Sequence, residues 1–261
     1  MSFTARWQAP GVCHMEDCMG VCMTLFVGEE RALLLDTGYG IEDVAAFVQS
    51  LTDKPLQVVL THGHHDHALG ARWFERVSLL PEEIPVYETY TAEKWRKHVL
   101  RGAANKGIKP DEATFLGARM AVPEPLEAGD IDLGGLTLRL ISCPGHTPGS
   151  LMAYVPEHRL LLTGDNWNPC TWLFFAEAVP IRRYRAEMRA ALDKLPFEWV
   201  ICPHSPEKHR RELLDAFLAG LTDEAIQKAE PFDAGYPAFD TVRIDLPYDQ
   251  YIVFDRQKAL A

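Results

Sequence analysis

His62-Gly63-His64-His65-Asp66-His67 places four of the ten histidines of the chain and one carboxylate within six residues. The largely apolar run 56–60 precedes this stretch, which is therefore expected to leave the end of a buried strand. Neutral imidazole is a common metal ligand, and a neighbouring carboxylate suits a cation such as Zn²⁺, Mn²⁺ or iron. An irregular loop can point His62 and His64 at one position while Asp66 and His67 turn towards a second. The stretch therefore predicts a centre for two metal ions.

Three further segments each bring a histidine or an aspartate into a glycine- or proline-rich turn after a strand-like run. They are Pro144-Gly145-His146-Thr147-Pro148-Gly149-Ser150, Leu161-Leu162-Thr163-Gly164-Asp165 and Ile201-Cys202-Pro203-His204. With the first stretch they supply five histidines and two aspartates in the order HxHxDH, H, D, H. In this ordered set the chain resembles the metallo-β-lactamase superfamily of metallohydrolases, from the Asp36-Thr37-Gly38 turn to His204.

The resemblance implies an α/β (α+β) fold, the four-layer αβ/βα sandwich, in which two mixed sheets pack face to face with helices outside. The residue pattern alone indicates only mixed α and β structure, with a helix over 41–51 and short strands within 76–87. We expect a single domain over 1–261. The segment 102–127 has little periodicity, which is typical of a lid or insert at about 88–127 and equally of a surface connection.

The resemblance also implies the ligands by position. One metal would be held by His62, His64 and His146, the other by Asp66, His67 and His204, and both by a bridging Asp165. Two Zn²⁺ per chain are expected, with iron or manganese as alternatives. The implied nucleophile is a metal-bridging hydroxide. The catalytic residue Asp66 would orient this nucleophile or accept its proton during turnover.

Asp36 resembles the family's aspartate that supports the histidine loop through hydrogen bonds, an arrangement that orients metal ligands. A turn-forming role for Asp36 before Gly38 is compatible with this. Four side chains are candidates for contact with the substrate: His14, Tyr39, Trp167 and Trp172. For the last three, anchoring of a loop is an equal alternative, and for His14 the alternative is a second metal site with Cys13, Cys18 and Cys22, whose spacing matches no common pattern.

The implied activity is hydrolysis of a small-molecule ester, thioester, lactone or amide. The Pro144–Ser150 segment and the Thr163-Gly164-Asp165 turn look most like the glyoxalase II branch, although the basic glutathione-binding pattern of that branch is not found near the C-terminus. A mononuclear-iron sulfur dioxygenase is the alternative, since some relatives keep the same ligand order. A phosphodiesterase or nuclease is a weaker one.

The net charge of −11 and the lack of a run rich in lysine or arginine disfavour a nucleic-acid partner. The first residues lack the apolar core of a secretory signal, and no apolar stretch is long enough to span a bilayer. We therefore expect a cytoplasmic protein with reduced cysteines, a small-molecule substrate and no membrane partner. Homo-oligomerisation is left open.

Overall fold

Apolar runs of strand length, separated by glycine- and proline-rich turns, build two units in this chain. A computed structural model describes residues 3–259. Unit 1 takes the chain up to Leu140 and adds the turn Pro203–Pro206, and unit 2 takes Ile141–Cys202 and the chain from Glu207 onwards. The expectation of one domain over 1–261 stays a prediction.

Unit 1 is built on a seven-stranded sheet whose strands lie side by side in chain order. They are β1 (Thr4–Ala9), β2 (Val12–Glu16), β3 (Cys22–Val27), β4 (Ala32–Leu35), β5 (Leu56–Val59), β6 (Arg76–Leu79) and β7 (Val122–Pro125). The first four strands are antiparallel, and β4 to β7 are parallel. Because the carboxyl ends of parallel strands meet at one edge, Asp36 after β4 and the histidine loop after β5 emerge together.

The helices of unit 1 are short amphipathic segments; the first three contribute apolar side chains to a buried core with the sheet, and the last two form a smaller cluster with Leu69. They are α1 (Val44–Leu51), α2 (His65–Ala68), α3 (Ile84–Tyr90), α4 (Glu93–Asn105) and α5 (Glu112–Leu116), with 3-10 turns at Leu69–Trp73 and Pro81–Glu83. The strands β8 (Gly129–Asp132) and β9 (Thr137–Ser142) form an antiparallel hairpin, and the chain enters unit 2 within β9.

Unit 2 contains strands of two sheets. The first sheet places β9 beside β10 (Leu151–Val155), followed by β11 (Leu160–Leu162), β13 (Trp199–Ile201) and β14 (His209–Arg210). The other has the order β12 (Cys170–Leu173), β17 (Gln250–Asp255), β16 (Thr241–Leu246) and β15 (Glu230–Pro231). The helices are α6 (Ile181–Leu192), α7 (Arg211–Gly220), α8 (Asp223–Gln227) and α9 (Arg256–Ala259), and 3-10 turns lie at Pro156–His158 and Gly164–Asn166. Apolar side chains of α6 and α7 pack with those of the strands in one core.

Several predicted helices and strands can be compared with the structure. The helix predicted over 41–51 is confirmed as α1, which begins after Asp43 because that carboxylate accepts the N–H of Ala46. The strands predicted around Pro85 are wrong, since Pro85 lies in the first turn of α3, where its missing N–H costs no hydrogen bond. The sequence also predicts a strand over 2–8; its first residue, Ser2, lies outside the described residues, and β1 runs from Thr4 to Ala9.

The segment 102–127 is less irregular than expected. It contains the end of α4, the short helix α5 and strand β7. Asp111 caps α5 by accepting the N–H of Thr114, a local signal that the low periodicity of the segment concealed. Its role as a lid or insert stays a prediction. Across residues 3–259, every helix is too short or too polar to cross a bilayer.

Candidate metal centre

The loop after β5 brings two of the predicted ligands together. Both His62 and His64 are buried, their ring centroids lie 4.7 Å apart, and each offers a nitrogen within 4.8 Å of the other's. Gly63 between them has no room for a side chain, because a Cβ would lie 2.3 Å from the backbone nitrogen of Tyr87. Its N–H donates to Oε2 of the fully buried Glu83 at 2.9 Å. The loop is therefore held in shape from both sides.

A second group in unit 1 consists of Asp66, His67 and His204, whose ligand atoms lie within 4.8 Å of one another. Asp66 Oδ2 is 3.5 Å from Nε2 of His67 and 3.6 Å from Nε2 of His204. Asp66 and His67 lie on helix α2, and His204 comes from the turn Pro203–Pro206. Residues distant in sequence thus meet at the edge of the sheet where β5 ends.

Hydrogen bonds to Asp36, one of them through Thr61, determine which nitrogen carries the proton in the neutral rings of His62 and His67. The hydroxyl of Thr61 lies 3.0 and 2.9 Å from the two carboxylate oxygens of Asp36, to which it donates, so it is free to accept from Nδ1 of His62 at 3.0 Å. Nδ1 of His67 donates directly to Oδ2 of Asp36 at 3.0 Å. Because Nδ1 carries the proton in both neutral rings, both Nε2 atoms present lone pairs. Asp36 itself has the left-handed φ of 66° that a short polar residue tolerates.

The turn that carries His204 is tied to the first strands of unit 1. The N–H of Cys22 donates to the Pro203 carbonyl at 2.7 Å, and the side-chain amide of Gln8 donates to the Pro206 carbonyl at 3.1 Å. The ring of His14 forms the third link, with Nε2 3.1 Å from the Ser205 carbonyl. Since a carbonyl only accepts, Nε2 donates, and Nδ1 accepts the hydroxyl of Thr24 at 2.8 Å. His14 was a candidate for substrate contact, and in these bonds it supports the turn.

Unit 2 brings the remaining two predicted ligands together. Nε2 of His146 lies 3.7 Å from Oδ2 of Asp165, and both side chains are buried. Nδ1 of His146 donates to the carbonyl of Trp172 at 2.6 Å, so the Nε2 beside Asp165 again presents a lone pair. His146 has the same arrangement as His67 in unit 1: Nδ1 donates to an oxygen atom, and Nε2 lies next to a carboxylate.

Asn166 shapes the loop of His146. Its Oδ1 accepts the N–H of His146 at 2.9 Å, and its Nδ2 donates to the Cys143 carbonyl at 2.6 Å. A Cβ on Gly145 would lie 2.3 Å from that Oδ1, which requires glycine there. Sequence reasoning missed Asn166, Glu83 and Thr61 as supports; the position of each beside a predicted ligand or in a neighbouring turn was the only signal.

The other candidate substrate residues differ in their surroundings. Trp167 is fully buried in the core of unit 2 and donates through Nε1 to Gln250 at 3.1 Å, which is the anchoring alternative. Tyr39 is half-buried and places its ring 5.7 Å from that of His65, edge to face. Trp172 is half-buried and belongs to a group of aromatic rings.

The donor set fits divalent transition metals. The three rings of His62, His67 and His146 have lone pairs at Nε2, and in two of them this nitrogen faces a carboxylate oxygen at 3.5–3.7 Å. In the neutral rings this places two acceptors side by side, an arrangement that a bound cation, or a proton on Nε2, stabilises. Imidazole nitrogens with carboxylate oxygens suit zinc, and iron or manganese as well.

Comparison with known proteins identifies the family of this chain. The family model described as the metallo-beta-lactamase superfamily matches residues 17–204. The acyl-coenzyme A thioesterase MBLAC2 of Gallus gallus is 27% identical over 156 residues, which is 53% of this chain and 54% of the relative. The hydroxyacylglutathione hydrolase of Bartonella quintana (strain Toulouse) is 29% identical over 108 residues, 41% of this chain and 32% of the relative. The chain thus spans about half of the first relative and about a third of the second.

Solved structures support the fold. A metallo-beta-lactamase from Pontibacter korlensis aligns with a TM-score of 0.57 at 16% identity, over 84% of this chain and 98% of the other. TTHA1623 in a di-iron-bound form aligns with a TM-score of 0.56 at 24% identity, over 76% and 94%. The predicted fold class, mixed sheets packed with helices in the metallo-β-lactamase manner, is confirmed.

Proposed function

We propose, from the premise that this chain belongs to the metallo-β-lactamase superfamily, that it is a hydrolase that uses two metal ions to cleave a small-molecule thioester or ester. The observation that carries the proposal is the pairing of Nε2 lone pairs with carboxylate oxygens at His67 and His146. The names of the thioesterase and hydroxyacylglutathione hydrolase relatives support a thioester as the first substrate class to test.

The ligand assignment is part of the proposal. Asp66, His67 and His204 would provide three protein ligands, the number that a catalytic zinc site uses. His62 and His64 supply two, and His146 would complete that set. Asp165 would bridge both ions, as the resemblance implies.

The metal ions, when bound, would lower the pKa of a water molecule to near neutrality and polarise the carbonyl oxygen of the substrate. The side chains of the chain have separate tasks. Asp66 would orient the attacking water or accept its proton, since its Oδ2 lies 3.5 Å from Nε2 of His67 and 3.6 Å from Nε2 of His204, next to the atoms that would hold the metal. Asp36 and the Trp172 carbonyl would keep the imidazoles in the ligating tautomer.

Zinc is the proposed metal, with two ions per chain. Iron is the main competitor, since the fold is also known in a di-iron-bound form. Manganese could use the same donors. The acidic net charge of −11 supports a small-molecule substrate over a nucleic acid.

The test is thioester hydrolysis by the purified chain before and after full chelation. Release of free thiol from simple acyl thioesters should fall to background on metal removal and return with two equivalents of Zn²⁺. His146→Ala should abolish the activity, whereas His158→Ala, a histidine of the same unit outside the predicted ligands, should retain it. Hydrolysis that survives complete metal removal would refute the proposal. Activity confined to lactones, amides or esters would mean that the substrate is not a thioester.

A further inference from the structure

Five aromatic side chains of unit 2 form a connected group that includes Trp172 at the end of β12. We call it the aromatic cluster; its members are Trp172, Phe174, Phe175, Tyr236 and Phe239. Phe174 lies at its centre, with ring centroids 4.6 Å from Phe175, 5.3 Å from Trp172 and 5.6 Å from both Tyr236 and Phe239. The cluster joins two chain segments more than sixty residues apart, 172–175 and 236–239.

The outer rings are arranged edge to face. Tyr236 meets Phe175 at 84° and Trp172 at 82°, and Phe239 meets Phe175 at 85°. This is a favourable geometry between aromatic rings, and an aryl group of a ligand would pack against such rings by the same interaction.

The cluster is not an extension of the core of unit 2. That core packs α6, α7 and the strands together, and none of the five rings is a member of it. Phe174 is fully buried, whereas the other four side chains are partly buried. Ligand sites are lined mainly by hydrophobic and aromatic side chains, and partly buried aromatic rings gathered in one place fit such a lining.

The cluster is directly attached to a predicted metal ligand. The backbone of Trp172 accepts the Nδ1–H of His146 at 2.6 Å, and the ring of Phe175 lies 6.2 Å from the His146 ring at 86°. A ligand in contact with Phe175 would therefore be next to His146.

The turn after Phe175 is held in place by Lys258 of helix α9. Its ammonium group donates to the carbonyls of Phe175, Ala176 and Ala178 at 2.6, 2.7 and 2.8 Å. Three bonds from one side chain fix this turn as part of the unit. The position of Phe175 is therefore set by the fold before any ligand arrives, which lowers the cost of binding.

We infer that the aromatic cluster is the subsite for an aryl or branched apolar substituent of the substrate whose reacting carbonyl lies at the metal centre. The inference rests on the proposed function and narrows its substrate class. The substituent belongs either to the acyl group or to the leaving thiol or alcohol, and both share the chemistry that the rings recognise.

Binding of product pairs to the zinc-loaded full chain tests the inference without turnover. One pair is propionate and 3-phenylpropionate, and the other is ethanethiol and 2-phenylethanethiol, with dissociation constants measured by calorimetry. We expect the phenyl member of one pair to bind roughly tenfold or more tightly, since full burial of a phenyl ring corresponds to about one to two tenfold steps in affinity. The pair that shows the preference identifies the side of the scissile bond.

Variants assign the preference to the cluster. Tyr236→Ala and Phe239→Ala, both on the 232–240 segment, should each reduce the phenyl preference at least threefold. Phe232→Ala is the matched control, because Phe232 begins the same segment but packs on Tyr251 with ring centroids 6.2 Å apart. Circular dichroism checks that each variant is folded.

Equal binding within both pairs, or a phenyl preference that survives in both cluster variants, would overturn the inference. The two proposals fail separately. Zinc-dependent thioester hydrolysis without a phenyl preference would refute only the subsite. A phenyl preference that depends on the cluster, without hydrolysis, would support the subsite and refute only the proposed reaction.

Discussion

The carboxylate of Asp36 illustrates how one residue sets the chemistry of several others. It binds the Nδ1–H of His67 directly and reaches His62 through the hydroxyl of Thr61. Both rings keep Nε2 available only while these bonds last. A metal site that depends on them should lose affinity when the carboxylate is removed, even though Asp36 is not itself a ligand.

Asp36→Ala should therefore weaken binding of metal by about 10- to 100-fold, the usual effect of removing a partner that orients a ligand. Thr61→Val should have a smaller effect, because it leaves the bond from His67 intact. The measurement is competition for Zn²⁺ with a chromophoric chelator. Asp43→Ala is the control, since Asp43 only caps α1; equal zinc affinity in Asp36→Ala and in that control would contradict the account.

Sequence reasoning at the residue scale predicts the ligands and Asp36 because their types and order are distinctive. It proposes His14 as a substrate contact, which stays a prediction, and it does not reveal that the two ring nitrogens are bonded to Thr24 and Ser205. The partners of a side chain depend on tertiary contacts nearly two hundred residues apart in sequence. A single chain without that geometry does not reveal them.

The turn Pro203–Pro206 depends on whole elements, since strands β1, β2 and β3 each contribute one bond to it. His14→Ala removes the link to Ser205, the residue that follows His204. We expect stepwise titration of Zn²⁺ to show weaker binding of one equivalent, by roughly tenfold, and little change in the other. The reason is that His62 and His64 lie in a loop that this turn does not support.

Ser50→Ala serves as the control for His14→Ala, because the Ser50 hydroxyl bonds only locally, to the Phe47 carbonyl in α1. Two equally weakened equivalents in His14→Ala would indicate a general loss of structure. Two unchanged equivalents would contradict the prediction and would mean that the bonds from Cys22 and Gln8 hold the turn without His14.

Helix α9 is a second element that affects the aromatic cluster, although the helix is short. If Lys258 positions Phe175, Lys258→Met should raise the KM of a phenyl-bearing thioester by about three- to tenfold while kcat, and the KM of an acetyl thioester, stay near their starting values. Steady-state kinetics with both substrates measure this split. Lys228→Met is the matched control, since Lys228 pairs with Glu224 on the exposed face of α8. A uniform loss on both substrates would show that Lys258 acts through stability alone.

Elements with strong periodicity or an apolar run of strand length are predictable, and α1, β4 and β5 are found where the sequence indicates them. Helix α3 is not, because proline reads as a breaker when its position in the first helical turn is unknown. Strand β2 and helix α5 are short and depend on their neighbours for stability. Local patterns carry too little information about such elements.

At the scale of the whole molecule, the ordered ligand set predicts the fold more reliably than any pattern of helices and strands. The metallo-β-lactamase fold follows from seven positions spread between residues 62 and 204. The aromatic cluster could not have been predicted, although the sequence contains every ring. Only the adjacency of β12 and β17 and the return of the 232–240 segment bring Tyr236 and Phe239 to Phe174.

The most direct test of the two-metal account is the metal content of the intact chain at saturation. Metal-free protein should take up two equivalents of Zn²⁺ per chain by elemental analysis after dialysis, and His67→Ala should take up fewer. Uptake of no metal, or of a single iron as the only tightly bound ion, would contradict it.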